Sequence, residues 1–370
     1  MTELRRGLTT GLCAAAAAYA ATYCLLSQNT VHQVSLPTSF GELVTLPIAE
    51  TVALPEQVRS GVIKDAGDDP DVTHGATVYA TVSKTEQAEI DVDGGEGIGR
   101  VSKPGLKVAV GKAAINPVPL AMITSAIELA CDELSYQGGI KAVISIPGGE
   151  ELAKKTMNAR LGVIGGLSIL GTTGIVSPMS NQALIDTIKT EIDVLHASGS
   201  NPILMMPGNY GRSFARDVLG LNIDQSVRFA NFVGEALDHI VASQIKSVML
   251  VGHAGKLVKL AGGIMNTHSS TADCRMEIIT AHAAMAGASA EIASALMSCT
   301  TTEAAIEILF EAGISQTVWQ TIGQRIAFYL EQRTRELVDI DFIVFTDEAG
   351  VLIQGKVLRN DKARETEEAR

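Results

Sequence analysis

Three short apolar runs in the second half of the chain each end in a loop that contains glycine. The runs cover residues 142–146, 203–206 and 247–251. Segments with the length of helices alternate with and follow these runs, at 180–195, 224–242, 254–261, 276–297, 302–312 and 317–335. Buried strands that alternate with helices are typical of a parallel sheet. The pattern predicts an α/β domain, three-layered and Rossmann-like, over residues 140–358, with a closing hairpin at 342–357 and a charged tail at 359–370.

Residues 1–139 show a different pattern, in which strands predominate over helices. A helix is predicted at 10–26, with Thr9 or Thr10 as its cap, and a second at 117–134. Strands are predicted within 31–49, on either side of the turn Ser39-Phe40-Gly41, and at 76–83 and 87–92. This part of the chain is therefore expected to form an α+β domain.

The charge balance argues against nucleic acid as a partner. The chain has 29 basic and 41 acidic residues, a formal net charge of −12, and no basic stripe. The five cysteines are scattered and form no CxxC pair. We therefore expect no metal site in the protein and no disulfide framework, but buried thiols in a reducing compartment.

The N-terminal region superficially resembles an export signal, because Arg5-Arg6 precede an apolar stretch at 12–26. That stretch is mostly alanine, which is weakly hydrophobic and strongly helix-forming. A helix that begins at Thr9-Thr10 explains the same residues. We expect a cytoplasmic protein with no membrane partner.

Glycine-bearing loops make the second half a candidate cofactor site, because ligands of parallel sheets bind beyond the carboxyl ends of the strands. The loops 147–151, 207–211 and 252–256 follow predicted strands, and 171–174 follows a further apolar run. Together they are predicted to line one crevice for a nucleotide-like cofactor, although ordinary turns also use glycine. The candidate cofactor-binding residues are Gly171, Thr172, Gly174, Gly208, Asn209, Gly252, His253 and Gly255.

None of these loops matches a standard phosphate motif. Residues 252–256 lack the length and the Ser or Thr of a P-loop. The glycine run at 94–99 is soon followed by Pro104, so it does not open a helix as a dinucleotide fingerprint requires. We expect this run to be a flexible hairpin or a loop that covers substrate.

The polar stretch that follows Lys64 is the candidate for acid–base chemistry. Asp65, Asp68 and His74 are the candidate catalytic residues, and the alternative is a solvated Asp-rich turn. Mutual repulsion would raise a carboxyl pKa there, whereas neighbouring cations would lower it, and the sequence leaves both open.

Cations lie beside the polar and glycine-rich segments. Arginine binds carboxylates through two hydrogen bonds and lysine acts as a point charge. The candidates for binding an acidic substrate are Arg6, Thr10, Lys64, Arg100 and Lys103.

Several blocks are together similar to the CbiD family. They are residues 6–17, 64–75, 96–101, 103–106, 115–119, 146–156, 165–180 and 252–269. The likeness covers nearly the whole chain, and agreement over many blocks is more specific than any single glycine motif. The family opening usually reads Thr-Thr-Gly-Thr-Cys, whereas Leu12 stands in the fourth position here and removes a hydroxyl beside Cys13.

The resemblance implies methylation of C1 of cobalt-precorrin-5B, with S-adenosylmethionine as donor, to give cobalt-precorrin-6A in anaerobic cobalamin synthesis. The cobalt belongs to the tetrapyrrole substrate. The resemblance also implies two domains unlike those of the usual tetrapyrrole methylases. It implies no set of catalytic residues, so the candidates above rest on the sequence itself.

Two other functions compete with this interpretation. An ATP-dependent phosphoryl-transfer enzyme would use the glycine loops for phosphate, but the standard motifs are missing. A tetrapyrrole carrier would need a cationic cleft but not the strand-end loops. The sequence leaves open the oligomeric state, a homo-oligomer included, and which domain holds which ligand.

Overall fold

The computed structural model describes residues 4–360, except for the side chains of residues 209–211. It is a mixed α/β protein of two compact units that divide between Asn181 and Gln182. The elements of the first unit are β1 (Gly7–Leu8), α1 (Thr10–Ser27), β2 (Gln33–Pro37), β3 (Leu43–Pro47), β4 (Glu50–Leu54), β5 (Gln57–Ile63), β6 (Thr77–Thr85), β7 (Ile90–Gly94), β8 (Arg100–Val101), α2 (Pro117–Glu133), β9 (Gly139–Ser145), α3 (Gly149–Ala153), α4 (Asn158–Leu161), β10 (Val163–Ile164) and β11 (Ile175–Val176).

The first unit is built on a five-stranded sheet in the order β4-β5-β6-β9-β7. Neighbouring strands are antiparallel except β7 and β9, which are parallel. Helix α1 packs on β5, β6 and α2, and its run of alanines is fully buried. Small side chains allow α1 to approach the sheet and α2 closely, so this helix forms the centre of the core.

Helix α1 is long and apolar enough to cross a membrane, and it is the only such helix among the described residues. Within the unit, 72% of it is buried, which is the pattern of a core helix. The hydroxyl of Thr9 accepts a hydrogen bond from Leu12 N at 3.2 Å, so Thr9 is the cap.

The domain boundary was predicted between residues 139 and 140, but the two units divide between Asn181 and Gln182. Strand β9 accounts for the difference. This strand pairs with β6 and β7 of the first unit, and it is not part of the second sheet. The apolar run predicted a strand correctly, but its partners lie far away in sequence. The hairpin of β4 and β5 was not predicted, because its turn uses Glu56 at φ +61° and contains no glycine.

The elements of the second unit are α5 (Asn181–Ala197), β12 (Ile203–Met206), α6 (Asn209–Asp217), a 3₁₀ turn (Ile223–Gln225), β13 (Ser226–Arg228), α7 (Val233–Ala242), β14 (Ser247–His253), α8 (Ala254–Leu257), a second 3₁₀ turn (Val258–Gly262), α9 (Arg275–Met285), α10 (Ala290–Met297), α11 (Thr302–Glu311), α12 (Ser315–Thr334), β15 (Asp339–Thr346) and β16 (Gly350–Val357). The sheet order is β13-β12-β14-β15-β16. The first four strands are parallel, and β16 forms the predicted hairpin with β15.

Side chains alternate between the two faces of the second sheet. Val248 and Leu250 face the large core formed with α5, α7 and α9–α12, whereas Val251 faces α6. On that second face Phe214 stacks on Phe345 with ring centroids 3.9 Å apart. Helices therefore pack on both faces of this sheet.

Two predicted helices of the second unit were too long. The segment 224–242 contains the short strand β13 before α7 begins. The segment 276–297 is broken between α9 and α10, where Gly287 has φ +90° and Ser289 caps the next helix. Part of the tail predicted at 359–370, namely 361–370, lies outside the described residues.

Candidate functional site

The carboxyl ends of the parallel strands of the second unit form a cavity. Strand β14 lies between β12 and β15, with His253 opposite Phe345, so the residues that follow all three strands meet at one edge. The cavity measures 410 Å³, within the usual range for small-ligand sites. We call it the strand-end cavity; it is lined by Pro207, Gly208, His253, Gly255, Lys256, Glu303 and Asp347.

His253 is held in one orientation within this cavity. Its Nδ1 accepts a hydrogen bond from Gly255 N at 3.1 Å, as the cap of α8. In the neutral ring the proton is therefore on Nε2, which lies 3.4 Å from Glu303 Oε1. The ring packs against Phe345 in a T-shaped arrangement, with centroids 5.8 Å apart. His253 is thus placed to hold or release a proton at Nε2.

Lys256 contributes the cation of the strand-end cavity. Its Nζ donates hydrogen bonds to Asn231 Oδ1 at 2.8 Å and to Ala230 O at 3.2 Å. No carboxylate of the described residues lies within 4 Å of this ammonium. Burial lowers the pKa of Lys256, and repulsion from Lys259 lowers it further.

The glycines predicted to bind cofactor have two different roles here. Gly208 has extended backbone, and a Cβ there would meet nothing within 4 Å, so the residue borders open space. A Cβ at Gly255 would lie 3.3 Å from His253 Nδ1. A Cβ at Gly252 would lie 2.8 Å from Leu257 and 3.1 Å from Pro207, so close packing requires this glycine. The side chain of Asn209 lies outside the described part of the chain.

The four loops predicted to share one crevice are divided between the two units, so their common role in cofactor binding stays a prediction. Loops 147–151 and 171–174 lie in the first unit, because β9 belongs there. Gly174 O accepts a hydrogen bond from Thr9 N at 3.0 Å, and a Cβ at Gly171 would collide with Thr9. Thr172 is exposed between them. Loop 171–174 therefore fixes the start of α1, and only 207–211 and 252–256 meet at the strand-end cavity.

The stretch 64–75, which we call the acidic segment, forms internal ion pairs. Lys64 is 1% exposed, and its ammonium donates to Asp71 at 2.6 Å. Burial of the Asp71 carboxyl favours a higher pKa, but hydrogen bonds from Lys64 and Thr73 outweigh it, and the pKa is lowered. Since a buried, neutralised ammonium is not available to a substrate, this geometry counts against the substrate role predicted for Lys64.

Asp65 and Asp68 attach the N-terminal strand to the acidic segment. Asp65 accepts hydrogen bonds from the Arg5 guanidinium, which lower the pKa of the carboxyl to about 2, with a further contribution from Gly67 N. Asp68 Oδ2 accepts from Arg5 N at 2.6 Å. The sequence left open whether repulsion between aspartates raises the carboxyl pKa or neighbouring cations lower it. At Asp65 the cation Arg5 lowers it.

His74 also serves this local structure, since its Nδ1 accepts a hydrogen bond from Ala66 N at 3.1 Å. The structure thus brings Asp65 and His74 together, with 3.9 Å between Oδ1 and Nδ1. Their catalytic role, like that of Asp68, stays a prediction.

A second cavity lies in the first unit and is rich in cations. It measures 690 Å³, and its charged residues are Asp91, Asp93, Arg100, Lys107 and Lys112. Arg100 donates to Asp93 Oδ2 at 2.9 Å and to Gly94 O at 3.2 Å, which orients the guanidinium. We call this the cationic groove. Sequence reasoning found Arg100 but missed Lys107 and Lys112, although all three lie within thirteen residues.

The other substrate candidates lie apart from the cationic groove. The stem of Lys103 packs over Gly162, which has no room for a side chain. The Thr10 hydroxyl accepts from Leu170 N at 2.9 Å and is 6% exposed. Arg6 is exposed beside the acidic segment. Only Arg100 of the predicted set lines this groove.

The glycine run 94–99 is packed rather than flexible, contrary to expectation. A Cβ at Gly97 would collide with Ile146 O, and one at Gly99 with the backbone of Gly166. Gly95 N and Gly99 N donate to Ile144 O and Leu167 O, both at 2.8 Å. The run therefore joins neighbouring backbones closely and does not form a mobile cover.

Leu12, the departure from the family opening, fills the core beside loop 171–174. It is 1% exposed, and a Cβ on Gly174 would lie 3.4 Å from its Cδ2. Cys13 beside it is buried, and burial raises the pKa of the thiol to about 12. Within residues 4–360, no group of three or more His, Cys, Asp or Glu could hold a metal ion.

Comparison with known proteins yields likenesses over nearly the whole chain. The family model CbiD matches residues 1–178, and the model "CbiD, C-terminal domain" matches 266–356. A cobalt-precorrin-5B C(1)-methyltransferase of Ruminiclostridium cellulolyticum is 48% identical over 93% of this chain and 90% of its own. One from Listeria monocytogenes is 41% identical over 97% of both chains. A crystal structure of the cobalamin biosynthesis protein cbiD from Archaeoglobus fulgidus is 32% identical, covers 70% of this chain and 80% of its own, and has a TM-score of 0.39.

Proposed function

This chain belongs to the CbiD family, and we propose that it transfers a methyl group to C1 of cobalt-precorrin-5B in cobalamin biosynthesis. The observation that carries the proposal is the likeness to curated enzymes of that activity at 40–48% identity over at least 93% of this chain. The substrate is a cobalt tetrapyrrole, and we expect the reaction to take place in the cytoplasm.

S-adenosylmethionine is the methyl donor in this proposal, and the second unit serves as its Rossmann-like binding domain. The strand-end cavity fits this cofactor, because Lys256 suits a carboxylate while Glu303 and Asp347 suit an ammonium or a sulfonium. Gly208 leaves space at the cavity wall for a ligand to approach the backbone. When bound, the cofactor supplies an activated methyl group on its sulfonium.

The tetrapyrrole carboxylates are assigned to the cationic groove of the first unit. Arg100, Lys107 and Lys112 supply three positive charges there, and Asp93 with Gly94 O fixes the direction of Arg100. A guanidinium that is already oriented loses little freedom when it binds a carboxylate.

Methyl transfer to a ring carbon is a direct displacement, so the protein needs no nucleophile of its own, in keeping with the buried Cys13. Its residues have to bind and align the two reactants, which contributes up to about 7–11 kcal/mol. A proton on the macrocycle would be held by one acid–base group. Asp65, Asp68 and His74 are the predicted candidates, and His253 with Glu303 is the alternative.

The test is to incubate the protein with cobalt-precorrin-5B and S-adenosylmethionine carrying a ¹³C methyl group. We expect a product with one added methyl group, whose carbon signal is assigned to C1 by NMR. Binding of the corrinoid without methyl transfer would favour the carrier function. Release of phosphate from ATP would favour the phosphoryl-transfer function.

A further inference from the structure

Lys256 stands at the point where two strand-end loops of the second unit meet. It follows β14, and its Nζ reaches Ala230 and Asn231 in the loop that follows β13. Both acceptors are neutral oxygens. An ammonium has three N–H donors, and the described residues accept two of them. One donor therefore remains, on a half-buried cation that lines the strand-end cavity.

Two other cations of the second unit, Lys259 and Arg333, differ from Lys256 in having a carboxylate nearby. Lys259 lies 3.6 Å from Asp273, and Arg333 forms an ion pair with Asp238 at 2.6 Å. Lys256 is desolvated without such a counter-ion, and a charge in that condition is stabilised by an anionic ligand.

The acceptor side of Lys256 is itself held in place. Asn231 Oδ1 also accepts from the Thr267 hydroxyl at 3.4 Å, and Thr267 N donates to Asn231 O at 2.9 Å. Two loops therefore fix the ammonium where it borders the strand-end cavity, and Glu303 and Asp347 line the same cavity with the opposite charge. A zwitterionic amino-acid group matches this combination of charges.

We propose that Lys256 binds the α-carboxylate of the methionine portion of S-adenosylmethionine. The proposal rests on the placement of that cofactor in the strand-end cavity and adds a specific partner for one of its groups. Both S-adenosylmethionine and the tetrapyrrole substrate carry carboxylates. The experiment therefore determines which of the two reactants Lys256 binds.

The experiment is titration calorimetry of the full chain with three ligands: S-adenosylhomocysteine, its decarboxylated analogue S-adenosyl-3-thiopropylamine, and the cobalt corrinoid substrate. The wild-type protein should bind S-adenosylhomocysteine at least tenfold more tightly than the decarboxylated analogue. Lys256→Met should weaken the binding of S-adenosylhomocysteine at least tenfold and change the affinity for the decarboxylated analogue less than twofold. Lys246→Met is the matched control, because it removes one exposed charge just before the same strand and should behave as wild type.

Four results would overturn the inference, and they are distinguishable. If the wild-type protein binds neither nucleoside, the proposed cofactor site fails together with the inference. If Lys256→Met weakens both nucleosides equally, Lys256 only ties the two loops together. If the variant keeps the preference for the carboxylate, that group binds elsewhere. If it weakens corrinoid binding alone, Lys256 holds a substrate carboxylate. Thermal unfolding establishes that each variant is folded, and Lys256→Gln replaces one that is not.

Discussion

The acidic segment of the first unit and the strand-end cavity of the second both collect charged side chains, but they use them differently. In the acidic segment Lys64 pairs with Asp71, and Asp65 pairs with Arg5. In the strand-end cavity Lys256 has only neutral partners, and Glu303 faces His253. The first arrangement satisfies its charges within the fold, whereas the second leaves charge for a ligand.

The difference matters because both regions look functional in the sequence. The acidic segment has more ionisable residues, yet its hydrogen bonds hold Arg5 beside the segment and join Ala66 to His74 within it. The number of charged residues is therefore a weaker guide to a binding site than whether each charge has an oppositely charged partner within the fold. The predictions below test this contrast, from the largest expected effect to the smallest.

Lys64→Met should lower the free energy of unfolding by about 3 kcal/mol, because it leaves the partly buried Asp71 carboxylate without its ion-pair partner. Urea unfolding measures the loss. Lys154→Met, which removes an exposed ion pair with Glu151, is the control and should change stability little. An unchanged stability of Lys64→Met with weaker corrinoid binding would restore the predicted substrate role of Lys64.

Gly208→Val should leave the fold intact but weaken S-adenosylhomocysteine binding at least tenfold, because the new side chain projects into open space at the strand-end cavity. Gly252→Val should instead destabilise the second unit by about 2 kcal/mol, since it collides with the buried Leu257. Calorimetry and thermal unfolding separate the two effects. Full affinity in a folded Gly208→Val protein would count against this cavity as the cofactor site.

Arg100→Ala should raise the KM for the corrinoid roughly fivefold, equivalent to about 1 kcal/mol, and leave the KM for S-adenosylmethionine unchanged. The effect is moderate because Arg100 is half exposed and already paired with Asp93. Lys103→Ala is the matched control, since Lys103 does not line the cationic groove. Equal changes in both variants would show that only net charge matters.

Asp65→Asn should have the smallest effect. The folded-state pKa of Asp65, about 2, lies below its ordinary value of 3.8. Its contribution to stability is therefore present above the ordinary pKa and is lost as the pH falls towards 2. In the variant, the free energy of unfolding should therefore fall less steeply as the pH is lowered below 3.8. The difference from the wild-type protein should be small, because the ion pair is exposed to solvent.

The same variant tests the predicted catalytic role of the acidic segment. At neutral pH the kcat of Asp65→Asn should equal that of the wild-type protein, if Asp65 serves only to hold Arg5. A loss of tenfold or more in a folded protein would return the acid–base role to this segment.

Local features of the fold followed from the sequence, and pairings between distant segments did not. Helix α1 began at its threonine cap and β12 spanned the predicted residues, because cap chemistry and apolar runs act locally. The run at 142–146 predicted a strand, but nothing local specifies whether it pairs with β6 or with β14. Strand β13 was missed because three residues are too few to show alternation.

The candidate site was predictable to the same extent. Gly208, His253 and Gly255 were predicted because they end or follow apolar strands, and all three line the strand-end cavity. Glu303 was missed, since it lies in the first turn of α11, about fifty residues beyond His253, and only the tertiary fold brings the two together. Lys256 was not singled out from the sequence, because the absence of a counter-ion is a property of the folded chain.

A crystal structure of the full chain with S-adenosylhomocysteine would test the central claim most directly. The account predicts electron density for the ligand in the strand-end cavity, against Gly208 and His253, with its carboxylate on Lys256. Density in the first unit, against the acidic segment or loop 171–174, would contradict the account.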